Sequence, residues 1–258
     1  MMRRLAAALS IIAALSAPAA AETVTTAVSS PTVSVSSNFT GTDIVVFGDV
    51  ERDAATVSRG AEGYDVVVIV SGPGEAVVTR RKERIVGIWI NRDSRTYVGV
   101  PSYYAVLANR PLDKVTTPEL LDKLHLGIDN LVIPTGGNPT AEESRADGDF
   151  METFRRLKQK SGLYLTDATG VEFLSSTLFK ASLHLPANVP VGELRADVFL
   201  FRDGALLARQ TQTINITKIG FEQFTYEAAY NYALIYGIAA VLLAYFTGWL
   251  AGVLFKKD

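Results

Sequence analysis

Arg80, Arg81, Lys82 and Arg84 place four basic side chains within five positions, the densest positive charge outside the C terminus. Guanidinium groups present planar donor forks that match carboxylate and phosphate oxygens, so this cluster would hold an oxyanion, lipid headgroups or an acidic partner surface. The competing reading is structural: charge on an exposed hairpin edge keeps that edge from pairing with another chain. Tyr103 and Tyr104 follow Pro101 and, with Trp89, would floor a pocket beside the arginines, although aromatic residues in strands more often pack a core.

Residue types for covalent or metal chemistry are scarce. The chain has no cysteine, which excludes disulfides, thiolate ligands and cysteine nucleophiles. His125 and His184 are its only histidines and methionine occurs only at positions 1, 2 and 151, so a copper, zinc or haem site lacks ligands and only a hard cation held by carboxylates is left open. Neither a Gly-x-Ser-x-Gly elbow nor a Ser-x-x-Lys motif occurs, and Thr135-Gly136-Gly137-Asn138-Pro139 lacks the Lys-Ser/Thr of a phosphate loop. Glu142, Glu143, Asp147 and Asp149 fall in a charged segment where solvation accounts for them. The inventory points to a protein that is not an enzyme and uses neither cofactor nor metal.

These residues sit between two apolar ends. Tyr232 to Phe255 runs for 24 residues without a charge, about 35 Å as a helix, which spans a bilayer's hydrocarbon core. Lys256 and Lys257 follow at once, and flanking basic residues are retained on the cytoplasmic side. At the other end a basic start (Arg3, Arg4), an apolar run from Leu5 to Leu15 and small residues up to Ala21 read as a secretory signal peptide over residues 1–21. Its removal leaves 23 basic against 27 acidic residues, a formal charge of −4, which argues against nucleic-acid binding. The expected topology is a single pass through the bacterial inner membrane, with residues 22–231 periplasmic and 256–258 a cytoplasmic tail.

Between the ends, short β-branched runs separated by turn residues predict strands at 32–36, 44–48, 64–70, 76–80 and 85–91, with 22–31 a leader or edge strand. Tyr64 to Val70 is continuous, as in strands buried on both faces. Arg81 to Arg84 interrupt the apolar pattern. The middle differs: Thr117-Pro118-Glu119 starts a helix, Asn130 to Ile133 reads as a short strand, and Phe150, Phe154 and Leu157 form one apolar helical stripe. Strands return at 177–185, then Leu194 to Arg202 and Leu206 to Thr217 pair across Asp203-Gly204. About eight strands result. The fold class expected is mainly β, an immunoglobulin-like β-sandwich over 22–217 with a helical insertion at about 113–162, a juxtamembrane segment at 218–231 and one transmembrane helix at 232–255; two small domains is the alternative.

The segments Phe39 to Gly48, Arg80 to Asn91, Val100 to Leu112, Leu183 to Gly204 and Lys218 to Phe224, with the terminal span, resemble an alphaproteobacterial family of transmembrane proteins, the Alph_Pro_TM type. The resemblance covers nearly all the mature chain and implies topology without assigning a catalytic residue. It also implies an inner-membrane partner such as a sulfite-exporter-like permease. The function expected is therefore that of a non-enzymatic accessory or interaction subunit, with a periplasmic anion- or solute-binding module as the alternative. Within the span, Ala240, Ala244, Gly248 and Gly252 recur every four residues and would let a partner helix, or a second copy of this one, approach closely.

The topology is directly testable: a reporter active only in the periplasm is expected to be silent when fused after Asp258, and activity there would reverse the orientation.

Overall fold

The computed structural model describes residues 22–51, 63–134 and 141–254. The signal segment, residues 135–139 of the glycine-rich loop and the tail after the span lie outside them. Twelve strands occur among the described residues: β1 (Thr23–Val28), β2 (Thr32–Val35), β3 (Gly41–Glu51), β4 (Asp65–Ser71), β5 (Gly74–Ile85), β6 (Ile88–Pro101), β7 (Tyr104–Ala108), β8 (Tyr164–Asp167), β9 (Val171–Phe173), β10 (Leu178–Pro186), β11 (Gly192–Arg202) and β12 (Ala205–Lys218). The helices are α1 (Leu112–Val115), α2 (Pro118–Lys123), α3 (Ala141–Lys160), α4 (Phe221–Asn231) and α5 (Ala233–Leu254). The fold is thus mainly β with one C-terminal helix of membrane-spanning length.

Period-two alternation builds two packed sheets. One has strand order β1-β3-β10-β9, the other β2-β12-β11-β4-β7-β8. Ile44 and Val46 of β3 and Phe179, Ala181 and Leu183 of β10 meet Val66, Val68 and Val70 of β4 and Leu194, Ala196, Val198 and Leu200 of β11 in a shared core. The opposite side of β4 is covered too. Val67 and Ile69 join Val106, Phe199 and Phe201 in a second core closed by Leu126, Phe150 and Phe154 from the helical region. The continuous apolar run of β4 follows from this double burial, as the sequence predicts.

The predicted hairpin across Asp203-Gly204 forms, with positive φ at both residues (49° and 80°) and Arg202 opposite Ala205. Two expectations are corrected. Asn130 to Ile133 is not a strand: Leu131 to Pro134 run as irregular chain, joined to the sheet region by the Val98 N–H donating to Pro134 O at 3.0 Å. Arg81 to Arg84 do not break a strand but lie inside β5, which turns only at Val86-Gly87; the ladder to β6 is held by backbone hydrogen bonds, which need no apolar alternation. The aromatic segment after Lys218 is itself helical, as α4, and ends at Tyr232, whose φ of −129° and ψ of 42° separate it from α5. Four strands come on top of the expected eight: β1, which the sequence allows as an edge strand, β7, and β8 and β9, which at four and three residues are too short to register as patterns.

One glycine reports on packing between β3 and β10. Gly48 lies opposite Phe179, and a Cβ there would fall 2.1 Å from Phe179 Cζ. The ring occupies the space a side chain would need, a glycine–aromatic pairing that pins the register. Gly48→Ala is expected to destabilise the protein by about 1–3 kcal/mol in denaturant melts through overpacking. Adding Phe179→Leu should recover part of that loss; strictly additive penalties in the double mutant would show that the ring is not the obstacle.

Candidate functional site

The ladder between β4 and β7 does not stop at the sheet's end. The Gly72 N–H donates to Tyr103 O at 2.8 Å and the Ser102 N–H to Pro73 O at 3.0 Å, after which β5 and β6 pair from Gly74↔Pro101 out to Ile85↔Ile88. The hairpin is therefore an arm that prolongs the two central strands. At about 3.3 Å per residue its 12-residue strand β5 reaches roughly 40 Å.

The proximal half of the arm is held by α3. Tyr97 and Val100 are buried there, and Tyr97 meets Phe154 at 5.8 Å between centroids, which in turn meets Tyr164 edge-on at 6.1 Å. Between arm and helix lies a groove of about 510 Å³, lined among others by Val77, Thr79, Arg81, Phe150, Phe154 and Leu157. Phe150 forms its cationic end: Arg81 Cζ lies 5.0 Å and Arg95 Cζ 5.3 Å from the ring centroid. Arg81 also faces Asp149 at 3.7 Å. Lys158, only 13% exposed, closes the other end by pairing with Glu75 at 2.8 Å while its ammonium lies 5.8 Å from the rings of Phe154 and Tyr164.

Strand alternation divides the basic cluster. By strand alternation Arg81 falls on the face of Val77, Thr79 and Glu83 and meets Phe150 and Asp149 of α3, whereas Arg80, Lys82 and Arg84 fall on the other face with Val78; of these, Val78 and Arg80 also border the groove. Arg84 lies directly across from Trp89, Lys82 from Asn91 and Arg80 from Ser94. The four basic residues therefore do not converge on one anion. Three of them, with Trp89, form a basic and aromatic surface on the outer face of the arm.

Tyr103 and Tyr104 are not brought to the arginines. They alternate into the two cores, Tyr103 between the sheets and Tyr104 under the helices, where its hydroxyl donates to His125 O at 3.0 Å. Burial raises both hydroxyl pKa values, that of Tyr104 to about 12, so both stay neutral at physiological pH. His184, on β10, faces Asp43 at 2.7 Å on the surface.

Sequence reasoning missed the apolar tip. Val86 is 96% exposed and Trp89 65%, with Ile85, Ile88 and Ile90 also exposed. Val86 adopts a φ of 49° and Gly87 one of 84°, the signature of a turn that normally takes Asn-Gly. A β-branched residue there is strained. The available signal was the Val-Gly dipeptide between two isoleucines, a turn whose first residue is of the wrong type for solvent.

At the membrane end, α5 carries 22 residues, and no residue of its strongly apolar stretch Ala233–Gly252 is buried by the rest of the chain. Ala240, Ala244, Gly248 and Gly252 lie on it at one-turn spacing, and a Cβ at Gly248 or Gly252 would meet open space. Ala240 also borders an apolar hollow of about 550 Å³ at the junction of α4 and α5, with Ala228, Tyr232 and Tyr236.

Together these features define a mainly β domain carried on one candidate membrane-spanning helix. The chain belongs to the family described as "Putative transmembrane protein (Alph_Pro_TM)", whose model matches residues 23–257. No curated protein matches it.

Arg81→Ser is expected to cost up to about 1 kcal/mol, since it removes a cation–ring contact and an exposed ion pair that is worth little by itself. Arg80→Ser and Lys82→Ser should each stay within about 0.5 kcal/mol. Chemical denaturation of the three variants checks this, and equal effects would contradict the two-face division.

Proposed function

We propose that this chain is a non-enzymatic accessory subunit, anchored in the inner membrane by α5, with its β domain in the periplasm and an inner-membrane protein, such as a transporter, as its partner. The observation that carries the reading is the shared direction of its two projecting elements. Strand β11 is antiparallel to both β4 and β12, so β4 and β12 run the same way. Ser71 at the end of β4 lies opposite Arg195, and Ile216 near the end of β12 opposite Gly192. The arm and the chain leading to the membrane helix therefore leave the six-stranded sheet by the same end. A domain built this way presents its exposed arm and its anchor to one side, which suits recognition of something in or at the membrane.

Helix association in lipid lacks a hydrophobic drive and depends on close backbone approach over small residues. The stripe from Ala240 to Gly252 offers that approach to a partner helix or to a second copy. Gly248→Leu with Gly252→Leu keeps α5 apolar while filling the stripe. The full-length protein purified in mild detergent is expected to bring a membrane protein with it, and the double variant to lose most of that association. Equal recovery of the partner with both proteins would reduce α5 to an anchor and remove the basis for a helix-mediated contact.

A further inference from the structure

We infer that the distal end of the β5–β6 arm is a second membrane contact, which seats its apolar tip in the interface of an anionic phospholipid bilayer and lays its basic outer face on the lipid phosphates. The inference goes beyond the accessory role and holds whether or not a partner protein is bound.

Three independent features converge on lipid as the occupant. The tip exposes Ile85, Val86, Ile88, Trp89 and Ile90 at a turn where solvent would favour Asn or Asp. Trp at the end of such an element suits the headgroup boundary, where an apolar ring and a polar N–H are both accommodated. The second feature is charge. Arg80, Lys82 and Arg84 share the outer face with Trp89, and their cross-strand neighbours Ser94, Asn91 and Trp89 bring no acid. The acid nearest the tip in β5, Glu83, belongs to the other face and is held by Arg92 at 2.8 Å. Basic residues beside an apolar insertion are what anionic lipid surfaces attract. The third feature is placement. The arm departs from the end of the sheet that leads to α5, and its roughly 40 Å length exceeds the roughly 16 Å that the 11-residue α4 adds before the membrane helix, so the tip has the reach to meet the same bilayer.

Lipid is favoured over an acidic protein surface because the bilayer is supplied by the chain's own anchor, whereas a protein groove for this tip would have to be brought by another molecule. Two attachment points would also fix the orientation of the β domain, which one helix alone would leave free to swivel.

Trp89 and Trp249 are the only tryptophans, so Trp249→Phe leaves Trp89 as the sole reporter in the full-length protein. The probe is that protein reconstituted into phosphatidylcholine vesicles with or without phosphatidylglycerol, with bromine on the acyl chains as the lipid-side quencher and acrylamide as the aqueous one. In anionic vesicles Trp89 emission is expected to shift to the blue, to lose most of its intensity to brominated lipid and to resist acrylamide. In neutral vesicles, or after Arg80→Ser, Lys82→Ser and Arg84→Ser together, the loss to brominated lipid should fall sharply. Trp89 that stays open to acrylamide and untouched by brominated lipid in anionic vesicles overturns the proposal. So does Trp89 shielded from both quenchers, which would mark a protein contact instead. Equal quenching in neutral and anionic vesicles overturns the role given to the basic face. Circular dichroism of the triple variant distinguishes lost lipid contact from lost folding, since all three residues are exposed.

Discussion

Burial of β4 on both faces is the constraint on which the other features depend. Val66, Val68 and Val70 fill the space between the two sheets, and Val67 and Ile69 fill the space beneath the helices. A strand with no solvent face must have cover on each side, which requires the β3–β10 sheet on one side and the inserted helices on the other. The helical region between β7 and β8 is therefore a structural layer: Leu126, Phe150 and Phe154 close a surface that would otherwise be exposed. Losing that layer would uncover Phe199 and Phe201 as well as the outer side of β4.

The arm inherits its position from the same strand. Because β4 and β7 pair through to Ser71↔Tyr104 and the ladder resumes across Gly72 and Pro73, the hairpin leaves the sheet in a direction set by two strands that are buried along almost their whole length. α3 supports the arm as far as Arg81, through Phe154 against Tyr97 and Phe150 against Arg81. Beyond Arg81 the ribbon has neither core nor cover. An unsupported ribbon with a strained apolar turn is a costly thing to retain without a surface to receive it, which is the physical basis for reading the tip as a contact element.

The basic cluster illustrates how a local pattern misleads. In sequence, four cations within five residues suggest one binding site; in a strand, neighbours face opposite ways. Arg81 becomes part of the packing against Phe150 and Asp149, while Arg80, Lys82 and Arg84 become a surface. Tyr103 and Tyr104 are divided by the same rule, one to each core.

What the sequence by itself determined was everything governed by local period and composition. The uncharged run of α5, the two-sided burial of β4, the Asp203-Gly204 hairpin and the helix starting at Pro118 are all short-range patterns, legible because each depends on neighbours a few residues away. The tertiary structure decided what distant segments do to one another. It extended β5 through the arginines, because cross-strand hydrogen bonds to β6 do not require an apolar alternation. It left Leu131 to Pro134 irregular despite their strand-like composition, and it joined the short strands β8 and β9 to sheets that no local signal announces. It also made the arm and the chain leading to the membrane helix leave the same sheet at one end. That placement depends on joining the local β11–β12 hairpin to β4, and the antiparallel pairing of β11 with β4 relates residues more than a hundred positions apart, which no reading of neighbouring residues contains.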